Sequence, residues 1–324
     1  MVGGENLSFS SKVKEELSLH FGKARHCNIA EVAAIINMCG YIGVFRNKVC
    51  IKIQTENLAT ARKYFTLLQK TFNIRSEILV RTNSQQKRNK VFMLRIINKD
   101  DIEKLLMATG IMATEDGKKK ITNRMYPPVV NSICCRRAYI RGAFLAAGSV
   151  SDPKKTYHLE FVHSDEEHSQ QLKELINSFH LDAKIVERKE HYVVYLKEGE
   201  QIVLLLNVME AHIALMDLEN VRILKDMRNN VNRMVNCETA NLNKTVNAAV
   251  KQIEDISYIE KTIGLDSLPY PLEDMAWVRL HHPDASLKEL GALTKPTVGK
   301  SGVNHRLRKI SNIAETMREG KGDF

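Results

Sequence analysis

The sequence predicts an α+β chain, with two copies of one mixed helix-and-strand unit followed by an all-α segment that ends in a helix-turn-helix. Three observations predict this. FNIRSEILVR (72–81) and FHLDAKIVER (179–188) share the Phe, the aliphatic two positions later, the Ile and the final Arg at an offset of 107. Two apolar stretches, 31–40 and 139–148, both run into a glycine, Gly40 and Gly148, at an offset of 108. Near the end, Ser286-Leu-Lys-Glu289 has the form of a capping box that opens a helix.

The elements of the repeat follow in order. The apolar helices carry small residues (Ala33, Ala34, Cys39 and Gly40; Gly142, Ala143, Ala146, Ala147 and Gly148) that allow a second helix to approach closely. Each glycine is expected to stop its helix in the left-handed conformation. Extended sequence comes next. Val49, Ile51 and Ile53 alternate with Lys52 and Gln54, and Leu159 and Phe161 alternate with His158 and Glu160, which gives strands with one dry and one wet face. Amphipathic helices are expected over 56–71 and 165–178, from apolar residues three and four apart. A turn, a short strand (91–97; 192–197) and a further helix complete each unit. The two units are expected to pack through their glycine-ended helices about a pseudo-twofold axis.

Beyond residue 208 the pattern is helical. Residues 210–262 contain neither Pro nor Gly and read as two or more helices with a break near 237–242. A short helix over 272–280 carries the single tryptophan, Trp277. The capping box then opens a second helix, and a third runs from about 299–301 to 317. In this third helix Val303, Leu307, Ile310, Ala314 and Met317 form one stripe. The opposite face holds Ser301, His305, Arg308 and Asn312, with Asn304 and Lys309 at its edges. This face is polar, basic and free of acids. It suits a recognition helix, in which Asn and Arg bond base edges in the major groove while Lys300, Lys309 and Ser301 hold phosphates. The division expected is 1–27 as an N-terminal helical segment, 28–208 as the two-repeat domain (repeats about 28–110 and 131–208), 209–265 as a helical linker, and 266–324 as the helix-turn-helix domain, with the motif itself at about 286–317.

Charge and composition narrow the function. Lys and Arg number 48 against 38 Asp and Glu, a net +10. Residues 295–309 concentrate Lys295, Lys300, Arg306, Arg308 and Lys309 with no acid. Further basic clusters lie at Arg81, Lys87, Arg88 and Lys90, and at Lys118, Lys119, Lys120 and Arg124. No apolar run approaches the roughly 20 residues of a membrane helix, and the first eleven residues lack the pattern of a secretory leader. Cys27, Cys39, Cys50, Cys134, Cys135 and Cys237 include no C-x-x-C pair, so reduced thiols of a cytoplasmic protein are expected, with no metal and no cofactor. His281 and His282 fit a turn.

The two glycine-ended helices resemble degenerate copies of the LAGLIDADG helix of homing endonucleases. Aligning the glycines places 32–40 and 140–148 on the nine motif positions. The resemblance implies a metal-binding acid at the eighth position, where this chain has Cys39 and Ala147. Neither offers a hard oxygen ligand for Mg²⁺, so no catalysis is expected. Over nearly the whole chain, SFSSKVKEELS (8–18), RGAFLAAGSVSDP (141–153) and SGVNHRLRKI (301–310) resemble the WhiA family. The resemblance implies tandem degenerate LAGLIDADG homing-endonuclease-like repeats followed by an all-α helix-turn-helix domain. It also implies a DNA-binding transcription regulator linked to cell division, chromosome segregation and sporulation, located in the cytoplasm on the nucleoid. Double-stranded DNA is the expected partner, and the resemblance leaves room for other transcription regulators or RNA polymerase. Two alternatives stay open, a metal-dependent nuclease and a nucleoid- or division-associated DNA-binding protein that does not regulate promoters.

Overall fold

The computed structural model describes residues 7–46, 48–82, 90–115, 118–122 and 124–320. Two compact units divide at Lys225 and Asp226. The segment expected as a linker, 209–265, is shared between them.

The first unit opens with α1 (Phe9–Leu19), capped by the Ser8 hydroxyl, which accepts from the Ser11 amide at 3.1 Å. The first repeat is α2 (Arg25–Cys39), β1 (Gly40–Phe45), β2 (Lys48–Thr55), α3 (Leu58–Phe72), β3 (Glu77–Thr82), β4 (Lys90–Ile96) and α4 (Lys99–Ala108). A hairpin follows, β5 (Met112–Glu115) and β6 (Lys118–Ile121), which the polar, Lys-rich sequence did not suggest. The second repeat is α5 (Ile133–Ala147), β7 (Gly148–Val150), β8 (Leu159–His163), α6 (Glu166–Asn177), β9 (Lys184–Arg188), β10 (His191–Leu196) and α7 (Gly199–Met209). The two antiparallel sheets have equivalent orders, β1-β2-β4-β3 and β7-β8-β10-β9. The repeat read from the sequence is thus present element for element.

The helices α2 and α5 pack directly on one another, and the small residues serve this purpose. A Cβ on Gly142 would lie 2.5 Å from the Glu31 carbonyl oxygen of α2. The glycines ending these helices act differently from the expectation. Gly40 (φ −79°, ψ 141°) and Gly148 (φ −82°, ψ 150°) are extended, and each is the first residue of a strand. What excludes a side chain there is space. A Cβ on Gly40 would meet the Ile36 carbonyl at 2.4 Å, and one on Gly148 would meet the Phe144 ring at 2.4 Å. Val49 also departs from the expected dry face. It pairs with Val44 at the far end of the β1–β2 hairpin, and both are exposed while Ile51 and Ile53 are buried.

Charge lies inside this unit. Glu31, Lys63 and Arg141 are fully buried. The Lys63 ammonium pairs with Glu31 and donates to the Leu17 and His20 carbonyls, both at 2.7 Å. Arg141 reaches the other Glu31 oxygen at 3.3 Å and pairs with Glu210, which also meets His20 Nε2 at 3.0 Å. Burial pushes the Lys63 pKa down to about 8 even against the pull of Glu31. Nearby, a hydrogen-bonded chain joins the repeats. Asn37 Nδ2 donates to the Tyr139 hydroxyl at 3.0 Å, and that hydroxyl meets His168 Nε2 at 2.7 Å.

The helix α8 (His212–Thr262) is one continuous element of 51 residues, where the sequence suggested a break near 237–242. The Asn, Thr and Cys residues there are weak helix formers, but propensity is a small term. Both ends of α8 are anchored. The Glu16 carboxylate accepts from the Ile213 and Ala214 amides at 2.7 and 2.9 Å, and Ile256 and Ile259 are fully buried in the second unit.

The second unit adds α9 (Tyr270–His281), α10 (Leu287–Leu293) and α11 (Lys300–Arg318) to the C-terminal part of α8. Its core is Ile256, Ile259, Leu265, Leu268, Leu272, Met275, Ala276, Leu290, Val303, Leu307, Ile310 and Ala314.

Candidate nucleic-acid interface

The α10–turn–α11 segment is built by local chemistry. The capping box is complete, because Ser286 Oγ accepts from the Glu289 amide and Glu289 accepts from the Ser286 amide at 2.7 Å. That bond holds the Glu289 carboxyl below its ordinary pKa. The turn folds back over α10. The Val298 amide donates to the Gly291 carbonyl at 3.0 Å, and the buried Thr294 hydroxyl donates to the same carbonyl at 3.0 Å. A Cβ on Gly291 would lie 2.1 Å from the Val298 carbonyl oxygen, so the crossing requires glycine. Arg279 of α9, almost wholly buried, donates to the Ala285 carbonyl at 2.8 Å and fixes the α9–α10 connection.

This frame fixes which way α11 faces. Val303, Leu307, Ile310 and Ala314 are buried and Met317 packs beside them, as the stripe predicts. Lys300, Ser301, Asn304, His305, Arg308, Lys309 and Asn312 are all exposed. No hydrogen bond or ion pair among the described residues engages any of their side chains. Asn304, Arg308 and Asn312 border a groove of about 410 Å³ whose opposite wall is Ala248, Lys251 and Gln252 of α8. The Lys251–Glu315 ion pair of 2.8 Å also borders this groove, about two turns beyond Arg308. Arg318, bonded to the buried Asp255 at 2.7 Å, holds the C-terminal end of α11 against α8.

The other basic clusters are arranged differently. Lys119 pairs with Glu103, and Arg124 with Glu167 at 2.8 Å. Arg81 and Lys90 are exposed on paired strands, while Lys87 and Arg88 fall outside the described residues. On the sheets, register places Tyr41, Lys52, Arg95 and Glu77 in one row. The equivalent row of the second repeat is Ser149, Glu160, Tyr195 and Lys184. Arg95 bonds Glu77 at 2.6 Å and lies 3.7 Å from the Phe45 ring centre. Glu160 accepts from Ser149 at 3.2 Å and pairs with His158 at 2.9 Å.

Cys39 and Ala147 stand at the C-terminal ends of α2 and α5, as the alignment of glycines placed them. The Cys39 thiol donates to the Ile35 carbonyl at 3.2 Å, and burial pushes its pKa up to about 12. A neutral thiol and a methyl group supply no hard anionic ligand. At the other end of the same helices the structure gathers residues that sequence spacing missed, His26 and Cys27 with Cys134 and Cys135. The signal was available, since 26 and 27 plus the helix offset of 108 give 134 and 135.

Fold and site together define a helix-turn-helix protein of the DNA-binding kind, with a two-repeat LAGLIDADG-like domain ahead of it. Comparison with known proteins makes the assignment specific. Models for the WhiA N-terminal LAGLIDADG-like domain, the WhiA LAGLIDADG-like domain and the WhiA C-terminal HTH domain match residues 25–112, 136–228 and 231–314. A "Probable cell division protein WhiA" of Lachnoclostridium phytofermentans is 54% identical over 97% of this chain and 100% of its own. Another of that name, from Alkaliphilus oremlandii, is 52% identical over 97% and 99%. Among solved structures, full-length DUF199/WhiA from Thermatoga maritima matches with a TM-score of 0.59 at 25% identity, covering 98% of this chain and 100% of that one. The chain belongs to the WhiA family. No helix among the described residues is long and apolar enough to cross a membrane.

Proposed function

We propose that this chain is a transcription regulator that binds double-stranded DNA through α11, acts on genes of cell division, chromosome segregation and sporulation type, and does not cut DNA. The observation that carries the reading is the exposed face of α11, where the side chains of Lys300, Ser301, Asn304, His305, Arg308, Lys309 and Asn312 have no hydrogen-bond or ion-pair partner among the described residues, on a helix braced by a second one. Arg308 is assigned to a guanine edge, which it can bond through two hydrogen bonds. His305, Asn304 and Asn312 flank it in the groove, and Lys300, Ser301 and Lys309 hold phosphates. The family's naming as a cell division protein supports the choice of target genes. Cys39 and Ala147 at the motif positions support a binding rather than a cleaving role for the repeats. On this reading the protein works in the cytoplasm on the nucleoid, and contact with other regulators or RNA polymerase would follow from promoter binding.

The test is selection of bound duplexes from a random pool by the full chain, followed by affinity measurements on the winner. Arg308→Ala should flatten the preference at one or two base positions, a loss of about 1–3 kcal/mol. Leu307→Ala, one residue away on the buried stripe, should instead cost about 2–4 kcal/mol of stability. An Arg308→Ala protein that stays folded and keeps both affinity and preferred site would remove α11 from the groove. Mapping of bound sites across the genome, paired with transcript levels after deletion, separates a regulator from a nucleoid protein that leaves promoters unaffected.

A further inference from the structure

We propose that His26, Cys27, Cys134 and Cys135 form a tetrahedral binding site for a thiophilic divalent cation of the Zn²⁺ class, clasping the N-terminal ends of α2 and α5. Three thiol sulfurs and one imidazole nitrogen, one from each residue, all lie within 4.8 Å of one another. In a tetrahedral site with Zn–S of about 2.3 Å and Zn–N of about 2.0 Å, neighbouring donors stand roughly 3.5–3.8 Å apart. The donors therefore already sit close to a coordination shell. His26 Nδ1 lies 3.0 Å from Cys135 Sγ and 3.5 Å from Cys27 Sγ, so that nitrogen is the one turned to the sulfurs. Three soft thiolates with one imidazole select Zn²⁺ over Mg²⁺ or Ca²⁺.

The surroundings favour the bound state. Cation binding at three thiols releases three protons and leaves a ZnS₃N centre of net charge −1. That charge falls at the N-termini of two helices, where the macrodipole and the first-turn amides stabilise anions. Neither helix has a side-chain cap hydrogen bond, at Ala24 or at Ser132, so those amides are not taken by one. The Ser132 hydroxyl instead donates to Cys135 Sγ at 3.5 Å. Arg25, Arg136 and Arg137 adjoin the ligands in sequence and add positive charge. Cys27 and Cys135 are buried, while His26 and Cys134 are exposed, so the site can load and exchange from solvent. It is separate from the degenerate motif positions. Those are Cys39 and Ala147, twelve residues along each helix, about 18 Å away at 1.5 Å per residue.

The experiment uses the full chain, reduced and freed of metal under nitrogen, titrated with Co²⁺ as a spectroscopic probe and then with Zn²⁺. The expected result is one equivalent of Co²⁺ per chain, with intense thiolate-to-metal charge transfer and tetrahedral ligand-field bands. Zn²⁺ should displace it and raise the melting temperature. Cys27→Ser with Cys134→Ser should weaken binding more than 100-fold, above the roughly 10–100-fold typical of losing a mere supporting contact. Cys237→Ser, outside the cluster, should change nothing. If the buried Cys27 variant fails to fold, the exposed pair His26→Ala and Cys134→Ala carries the same test. Absence of thiolate charge transfer, or undiminished binding in the folded variants, overturns the proposal. So does a Cys27–Cys134 or Cys27–Cys135 disulfide that forms in air and persists in the presence of Zn²⁺.

Discussion

The two units use charge in opposite ways. In the first, Glu31, Lys63 and Arg141 are buried and bonded to one another, and on the sheets Arg95 and Glu160 are already engaged by Glu77 and His158. In the second, Lys300, Arg308 and Lys309 of α11 face outward with no side-chain partner among the described residues, while the acids Asp255 and Glu315 are held by Arg318 and Lys251. The difference teaches that net charge is a poor guide to where a polyanion binds. A charge bonded inside the protein is spoken for, and phosphate must displace its partner to reach it. A charge left unbonded by the fold is free for a ligand. The first unit keeps two LAGLIDADG-like sheets, and each of the two equivalent rows carries a carboxylate, Glu77 in one and Glu160 in the other.

The comparison can be broken from either side. The largest effect is expected from Glu31→Ala, which leaves Lys63 and Arg141 buried without their shared partner. It should cost about 3–5 kcal/mol, read as a lower denaturant midpoint of the first unit's transition, with DNA affinity per folded molecule unchanged. Acid should act on the same unit through His168, whose pKa is lowered to about 4 by burial and by His163. Between pH 6.5 and 4 the unfolded chain binds a proton that the folded chain does not. Stability is therefore fully present above about pH 6.5 and is lost as pH falls, by about 3 kcal/mol at pH 4. His168→Gln, which keeps an acceptor for Tyr139, should flatten that limb in urea titrations across pH. On α11, Lys309→Ala should weaken binding to all duplexes alike and lower the slope of log affinity against log salt by about one, without moving the melting temperature. Lys52→Ala on the sheet is expected to do least, changing affinity less than twofold. A fall there as large as that from Lys309→Ala would mean that the sheets share the DNA.

Much of this was legible in the sequence, for reasons that are local. A capping box needs four residues, and Ser286 and Glu289 announce the start of α10 by themselves. The period of Val303, Leu307, Ile310 and Ala314 fixes the buried side of α11, and therefore the outward one. The repeat was legible because Phe72 and Phe179 mark the same corner in each copy. What failed depended on distance or on space. Gly40 and Gly148 suggested a left-handed cap, but the restriction there is the preceding helical turn. The weak helix formers at 237–242 suggested a break, yet the anchored ends of α8 outweigh them. Nothing near Glu31 in the sequence marks its role, since its partners Lys63 and Arg141 lie on α3 and α5. The cysteines failed a spacing test built for ligands close in sequence, whereas theirs are paired by the repeat itself.

The reach from Glu31 to Arg141 also sets a timetable for synthesis. Arg141 lies 110 residues downstream of the carboxylate it completes. At about 5–20 residues per second, α5 leaves the ribosome roughly 5–20 s after α2. For that interval the first repeat carries a helix face made to receive a helix that does not yet exist, with one of its two internal cations still unmade. The nascent chain must keep that face from finding another partner, such as the same face of a neighbouring chain on the same message.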